Sequence, residues 1–215
     1  MSQFGSRWIA TLTPGVRVML SALTLVYLGA LIGKGTGTWD LNRWLAVNAA
    51  DFWHGQLWRV ISYAPLPAGP MDFLMNAVAL IMLGSQLERH WSRGELWRFS
   101  LIAAAGAGLA QVLLSSLPLT GAAPMVFGLL VAWAFLSGHA VLPFPIVGEM
   151  SVRKMVLILA TVSFSVMFFS AGWVRAAVMG SGGVTGWIYL WLQNKWRQAR
   201  PAHTVESRRI NRLEL

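Results

Sequence analysis

The stretch Gly121-Ala-Ala-Pro-Met-Val-Phe-Gly128 follows a chain break at Pro118-Leu-Thr-Gly121 and opens an apolar run that reaches about Leu142. Its two glycines are seven positions apart, almost two helical turns, so they fall on nearly one face of a helix. A second stretch, Met179-Gly-Ser-Gly182-Gly-Val-Thr-Gly186, places Gly182 and Gly186 on one face of another apolar run. Small residues at this spacing let helix backbones approach closely. In lipid, packing rather than water exclusion drives such association, so the pattern predicts two membrane helices in close contact.

The rest of the chain agrees with a membrane reading. Of 215 residues, 56% are hydrophobic and only 12% charged, where a soluble domain carries roughly 25% charged residues. Mean hydropathy is +0.56. These values exclude an ordinary water-soluble globule and a disordered chain. Six apolar runs are legible at about 16–33, 71–87, 96–117, 122–142, 152–170 and 174–192. Each is near the roughly 20 residues that cross a bilayer. The predicted architecture is an all-α, six-helix membrane domain over 16–192, with an N-terminal segment 1–15, an outer loop 34–70 and a basic tail 193–215. The stretch Trp39 to Trp53 has helical apolar spacing and is expected to lie in the interface.

Charge placement orients the spans. With the N-terminus cytoplasmic, 13 of the 17 Lys and Arg residues fall inside, and 4 (Lys34, Arg43, Arg59, Arg175) fall outside. That is the positive-inside bias, and six crossings return the C-terminus to the cytoplasm. The net charge of +9 is thereby read as topology and lipid-headgroup contact, not as a nucleic-acid site. Most of the 12 tryptophans fall near span ends or in the outer loop, where an apolar ring with one N–H donor is favoured. With no cysteine, disulfides, thiolate zinc sites, iron–sulfur clusters and a cysteine nucleophile are excluded. The four histidines show no metal-ligand spacing, so neither a metal nor a cofactor is expected.

Four local patterns then occur in order. They are Gly55-Gln-Leu-Trp-Arg-Val-Ile-Ser-Tyr63; Asn76 followed by Gly84 and Leu87-Glu88; Gly121 to Gly128; and Met179 to Gly186. Together they resemble the rhomboid family of intramembrane serine proteases over about residues 16 to 192. The resemblance implies a six-helix bundle in which Gly84, Gly121, Gly128, Gly182 and Gly186 are packing glycines of the core. In the family pattern the serine nucleophile falls two residues after the first glycine of the third motif, which here is Ala123. The next family glycine is Pro124, which has no backbone N–H to give an oxyanion. The family histidine of the last span falls on Met179, or on Gly180 if the register slips by one. Of the family's polar partners on and just before the second span, two histidine positions are Asp72 and Pro67, and only Asn76 remains.

A serine–histidine mechanism needs an oxygen nucleophile, a base in hydrogen-bond reach and donors aimed at the oxyanion. Losing such a unit lowers turnover on the order of 10⁶-fold. Candidates for a rebuilt site are Ser181 with His54 or Asp72. His139, sixteen residues after Ala123 and expected on the same helix, would lie about 24 Å away. Asn76 is expected to bond a backbone carbonyl of a neighbouring span. The resulting expectation is a multi-pass protein of a bacterial cytoplasmic membrane, a catalytically degenerate rhomboid-like pseudoprotease. Its partners would be the bilayer and single-span membrane-protein clients, with no nucleic acid. The alternatives are an intramembrane serine endopeptidase with non-standard residues, and an unrelated transporter or channel. The pattern implies no particular oligomeric state.

Overall fold

The computed structural model describes residues 12–37, 39–138, 140–144 and 148–199. Most of the expected segments 1–15 and 193–215, together with His139, lie outside the described residues. Among the described residues, helices Pro14–Thr36, Pro70–His90, Arg93–Leu114 and Val152–Trp196 are long and apolar enough to cross a membrane, and Ala123–Ser137 is a shorter apolar helix. The molecule is an all-α membrane protein apart from one small hairpin.

Helix α1 (Pro14–Thr36) starts with a proline in its first turn and stops at Gly37, whose φ of 66° lies in the left-handed region. Its Thr13 cap makes no side-chain bond to the helix. The capping comes from elsewhere. The Glu88 carboxylate accepts the Gly15 N–H at 2.8 Å and the Val16 N–H at 3.0 Å, and the Thr13 hydroxyl donates to it as well. A negative group at a helix N-terminus is favoured by the exposed N–H groups and the dipole.

The segment expected to be outer folds into three short helices, α2 (Leu41–Leu45), α3 (Ala49–Trp53) and α4 (Arg59–Ser62). The interfacial stretch expected between Trp39 and Trp53 is thus two turns of helix capped by Asp40 and Asn48, not one continuous element. Arg59, 4% exposed, pins them. Its guanidinium donates to Gln56 at 2.6 Å, to the Ala46 carbonyl at 2.9 Å and to the Arg43 carbonyl, and it pairs with Asp51 at 2.9 Å.

The second long helix comprises α5 (Pro70–Ala79), a π-helical turn at Leu80–Gly84 and α6 (Ser85–His90). A Cβ on Gly84 would lie 2.8 Å from the Val16 methyl, so α1 packs directly against that turn. Helix α7 (Arg93–Leu114) begins with a capping box between Ser92 and Glu95. Beyond its end, Val47 and Leu119 exchange two backbone hydrogen bonds, 3.2 and 2.9 Å long, and so attach the outer segment to the loop before α8 (Ala123–Ser137).

The fourth apolar run differs from expectation. Helix α8 has 15 residues, about 22 Å at 1.5 Å per residue, less than the roughly 30 Å hydrocarbon core. It stops at Ser137, and residues expected to continue it form strand β1 (Val141–Phe144), antiparallel to β2 (Gly148–Ser151). Pro143 is compatible with the strand, since a proline is tolerated in an edge strand. The last element, α9 (Val152–Ala199), is one run broken only at Gly172, where φ 85° and ψ 167° are non-helical.

Two buried clusters hold the bundle. Val16, Leu23, Leu80, Leu87, Phe99, Leu129 and Leu190 belong to one, and Val47, Val60, Tyr63, Ala107, Leu119 and Val178 to the other. The limb of α9 before Gly172 instead displays Leu157, Val162, Val166 and Phe169 outward, as a lipid-facing helix does.

Candidate functional site

The two glycine stretches meet. A Cβ on Gly182 would collide with the Pro124 carbonyl oxygen; one on Gly128 would lie 2.9 Å from the Gly182 carbonyl oxygen and from Ala103; and one on Gly186 would lie 2.7 Å from the Phe99 ring. Backbone thus lies directly on backbone between the start of α8 and the limb of α9 after Gly172. Ala123 precedes the contact on α8 by one residue, and Met179 precedes it on α9 by three. Gly183 lies against Phe127, and Gly106 of α7 against Thr185. These close approaches also join α7 to the pair.

Gly121 is not on the α8 face. It sits in the turn ahead of the helix with φ 97°, and its N–H donates to the Tyr63 carbonyl at 3.1 Å. The seven-residue spacing to Gly128 is therefore not a helical register. Only a glycine tolerates this backbone conformation without strain, and a Cβ here would lie 2.7 Å from the Asp72 carboxylate. Tyr63 is fully buried, and its hydroxyl donates to the Ala104 carbonyl at 2.9 Å. Burial of this outer-segment phenol pushes its pKa upward, which keeps it a donor.

Asp72 and Asn76 form the polar edge beside Gly121. The Asp72 carboxylate accepts the Ala68 N–H at 2.9 Å and the Asn76 side-chain amide at 2.9 Å. Asn76 is 4% exposed. Its amide donates to a residue one turn earlier on its own helix, not to a carbonyl of another span. The expectation for Asn76 is corrected, because a carboxylate at i−4 is nearer and a stronger acceptor.

The remaining candidates stay apart. The Ser181 hydroxyl donates to the Val178 carbonyl of its own helix at 2.7 Å. His54 ends α3, exposed, with Nδ1 2.7 Å from the Ala50 carbonyl. Among the described residues no hydrogen bond joins Ser181 to His54 or to Asp72, and no cluster of three His, Cys, Asp or Glu could hold a metal. At this edge the charge is negative, where a tetrahedral oxyanion needs donors. The arrangement can accept hydrogen bonds and pack against apolar surface.

Three organising residues lie within the quoted motifs, but sequence reasoning gave none of them a structural role. Arg59 had a visible signal, a lone cation inside Leu57-Trp-Arg-Val-Ile61. The partners of Glu88 and Tyr63 were not legible, because they are 72 and 41 residues away.

Comparison with known proteins bears on this geometry. The model of a family described as eukaryotic integral membrane protein (DUF1751) matches residues 16–200. Rhomboid protease GlpG of Yersinia enterocolitica serotype O:8 is 23% identical over 192 residues, which is 88% of this chain and 64% of that protein. GlpG of Yersinia pestis (strain Pestoides F) is 26% identical over 198 residues, 91% of this chain and 66% of the relative. GlpG of Serratia proteamaculans (strain 568) is 26% identical over 192 residues, with shares of 88% and 64%. The chain spans slightly less than two thirds of the length of these relatives.

Proposed function

Because this chain belongs to the family described as eukaryotic integral membrane protein (DUF1751) and is similar to rhomboid proteases, we propose that it is a rhomboid-like pseudoprotease. On this reading it binds transmembrane segments of client proteins and does not cleave them. The observation that carries the reading is the contact of Pro124 with Gly182. The rhomboid resemblance assigns nucleophile and base to Ala123 and Met179, which flank this contact, and neither side chain can donate or accept a proton. Pro124 also lacks the amide that would serve an oxyanion, and the Ser181 hydroxyl is bonded to its own helix.

In this reading the two limbs of α9, 152–171 and 173–199, cross the membrane separately. With α8 they bring the crossings to six, and both termini lie in the cytoplasm of a bacterial cell. The chain has no cysteine, so single introduced thiols report topology cleanly. His90→Cys is expected to resist a membrane-impermeant maleimide in intact cells, and Ser116→Cys to react. Client binding is tested by photocrosslinking from the exposed limb 157–169 in membranes, where enrichment of single-span proteins is expected. Absence of any enriched client would remove the binding role. Specific cleavage of a transmembrane substrate that Ser181→Ala abolishes, with labelling by a fluorophosphonate, would instead establish a protease with non-standard residues.

A further inference from the structure

A cleft of about 230 Å³ enters the side of the bundle beneath the outer segment. Met19 and Leu23 of α1 form one wall, Leu80 of the π turn and Met125 of α8 form the back, and Ile61 and Pro65 form the roof. The opposite wall is a stripe of α7, Trp97, Leu101 and Ala104, at the spacing of neighbours on one helix face. Apart from the hydroxyls of Ser62 and Ser100 the lining is apolar. The Ser62 hydroxyl already donates to the Leu45 carbonyl at 3.2 Å. An apolar cavity of this kind stays dry.

Its depth follows from the helices. Met19 to Leu23 lie five to nine residues from the start of α1, about 8 to 14 Å along the axis, and Trp97 to Ala104 lie about 6 to 17 Å from the start of α7. Glu88, near the end of the preceding helix, caps α1, so both helices start at the same level. The cleft therefore occupies the half of the bundle beside the Arg93 end. The outer segment closes it from the other half. Its mouth carries Ile61 and Leu101, 41% and 39% exposed, next to the exposed Val18 and Leu25 of α1. It is thus continuous with the apolar surface that meets lipid.

Lining and charge select the occupant. The apolar lining and the opening toward lipid suit a single hydrocarbon chain. Arg93, exposed, stands one turn before Trp97 on the same stripe, where the membrane surface would be. A cation at that level attracts anionic headgroups. We propose that the cleft binds one acyl chain of an anionic phospholipid from the leaflet at the Arg93 end, with its phosphate at Arg93. The cleft adjoins the Pro124–Gly182 contact through Met125, but its occupation does not depend on client binding.

The full chain is reconstituted into vesicles of phosphatidylglycerol and phosphatidylcholine, either lipid carrying a diazirine on its acyl chain, and labelled peptides are mapped after illumination. Phosphatidylglycerol is expected to label segments 19–23 and 97–104 more heavily than the lipid-facing limb 157–169. Ala22→Phe, which projects across the mouth, is expected to lose the cleft labelling and keep that of the limb. Leu101→Trp serves as a second blocking variant should the first misfold, and Arg93→Gln is expected to lose the preference for phosphatidylglycerol. Labelling of the cleft segments no heavier than the limb, persistence of cleft labelling in both blocking variants, or equal labelling by phosphatidylcholine in the unaltered protein would overturn the proposal.

Discussion

At the residue scale, the Glu88 carboxylate takes three donors at the first turn of α1. Removing its charge leaves N–H groups whose bonds to an ionised acceptor are worth about 1.5–3 kcal/mol each before compensation. Glu88→Gln is expected to lower the thermal unfolding midpoint in detergent, and Glu88→Ala to lower it further. Tyr63 makes a different prediction. Its folded pKa is raised above an unfolded value of about 10. Its contribution is therefore complete below that pH and is lost as pH rises, since the unfolded chain releases the proton first. Tyr63→Phe should cost about 1 kcal/mol at neutral pH and reduce the alkaline loss of stability above about pH 10, read by unfolding scans across that range. Among the described residues the buried Ser100 hydroxyl has no hydrogen-bond partner, so only its small size contributes to packing. Ser100→Ala is expected to leave the midpoint unchanged or to raise it.

At the element scale, the joint between α8 and α9 rests on glycines that a larger residue would part. A methyl on Gly182 meets the Pro124 carbonyl oxygen, a backbone atom that cannot rotate away. Gly182→Ala is expected to destabilise by about 1–3 kcal/mol, as overpacking does, and Gly182→Leu to part the two helices. Gly94, in the first turn of α7, has nothing within 4 Å of its Cβ position. Gly94→Ala should be neutral or raise stability by up to about 1 kcal/mol through helix propensity. Comparing the two by denaturation in the same detergent checks that contact, not glycine content, holds the joint. The glycine pattern was legible as a helix signal at Gly182 and Gly186. It misled at Gly121, because spacing alone does not say where a helix starts, and that glycine's turn is held by Tyr63 and Asp72 from other elements.

At the scale of the whole molecule, placing the rhomboid pattern's serine and histidine in this chain should not produce cleavage. Ala123→Ser with Met179→His supplies a hydroxyl and an imidazole. It leaves Pro124 without an amide and Asp72 negative at the adjacent edge, so the oxyanion still lacks its donors. No cleavage of transmembrane substrates above background is expected in liposome assays. Measurable turnover by this double variant would show that the electrostatics of the edge matter less than argued.

Composition, apolar run length and the four motifs were enough to determine a multi-helix membrane protein of rhomboid-like kind, because span length and hydropathy are local properties imposed by the bilayer. They also determined which residue types stand at the motif positions. Only the tertiary structure decided that α8 ends at Ser137 in favour of a hairpin, and that Asn76 bonds Asp72 on its own helix. It likewise decided that Glu88 caps α1 and that a cleft lies beneath Ile61 and Pro65. Each of these depends on which distant backbone and side-chain atoms arrive within a few ångströms. Such proximity is set by packing of the whole bundle, and no single window of the chain encodes it.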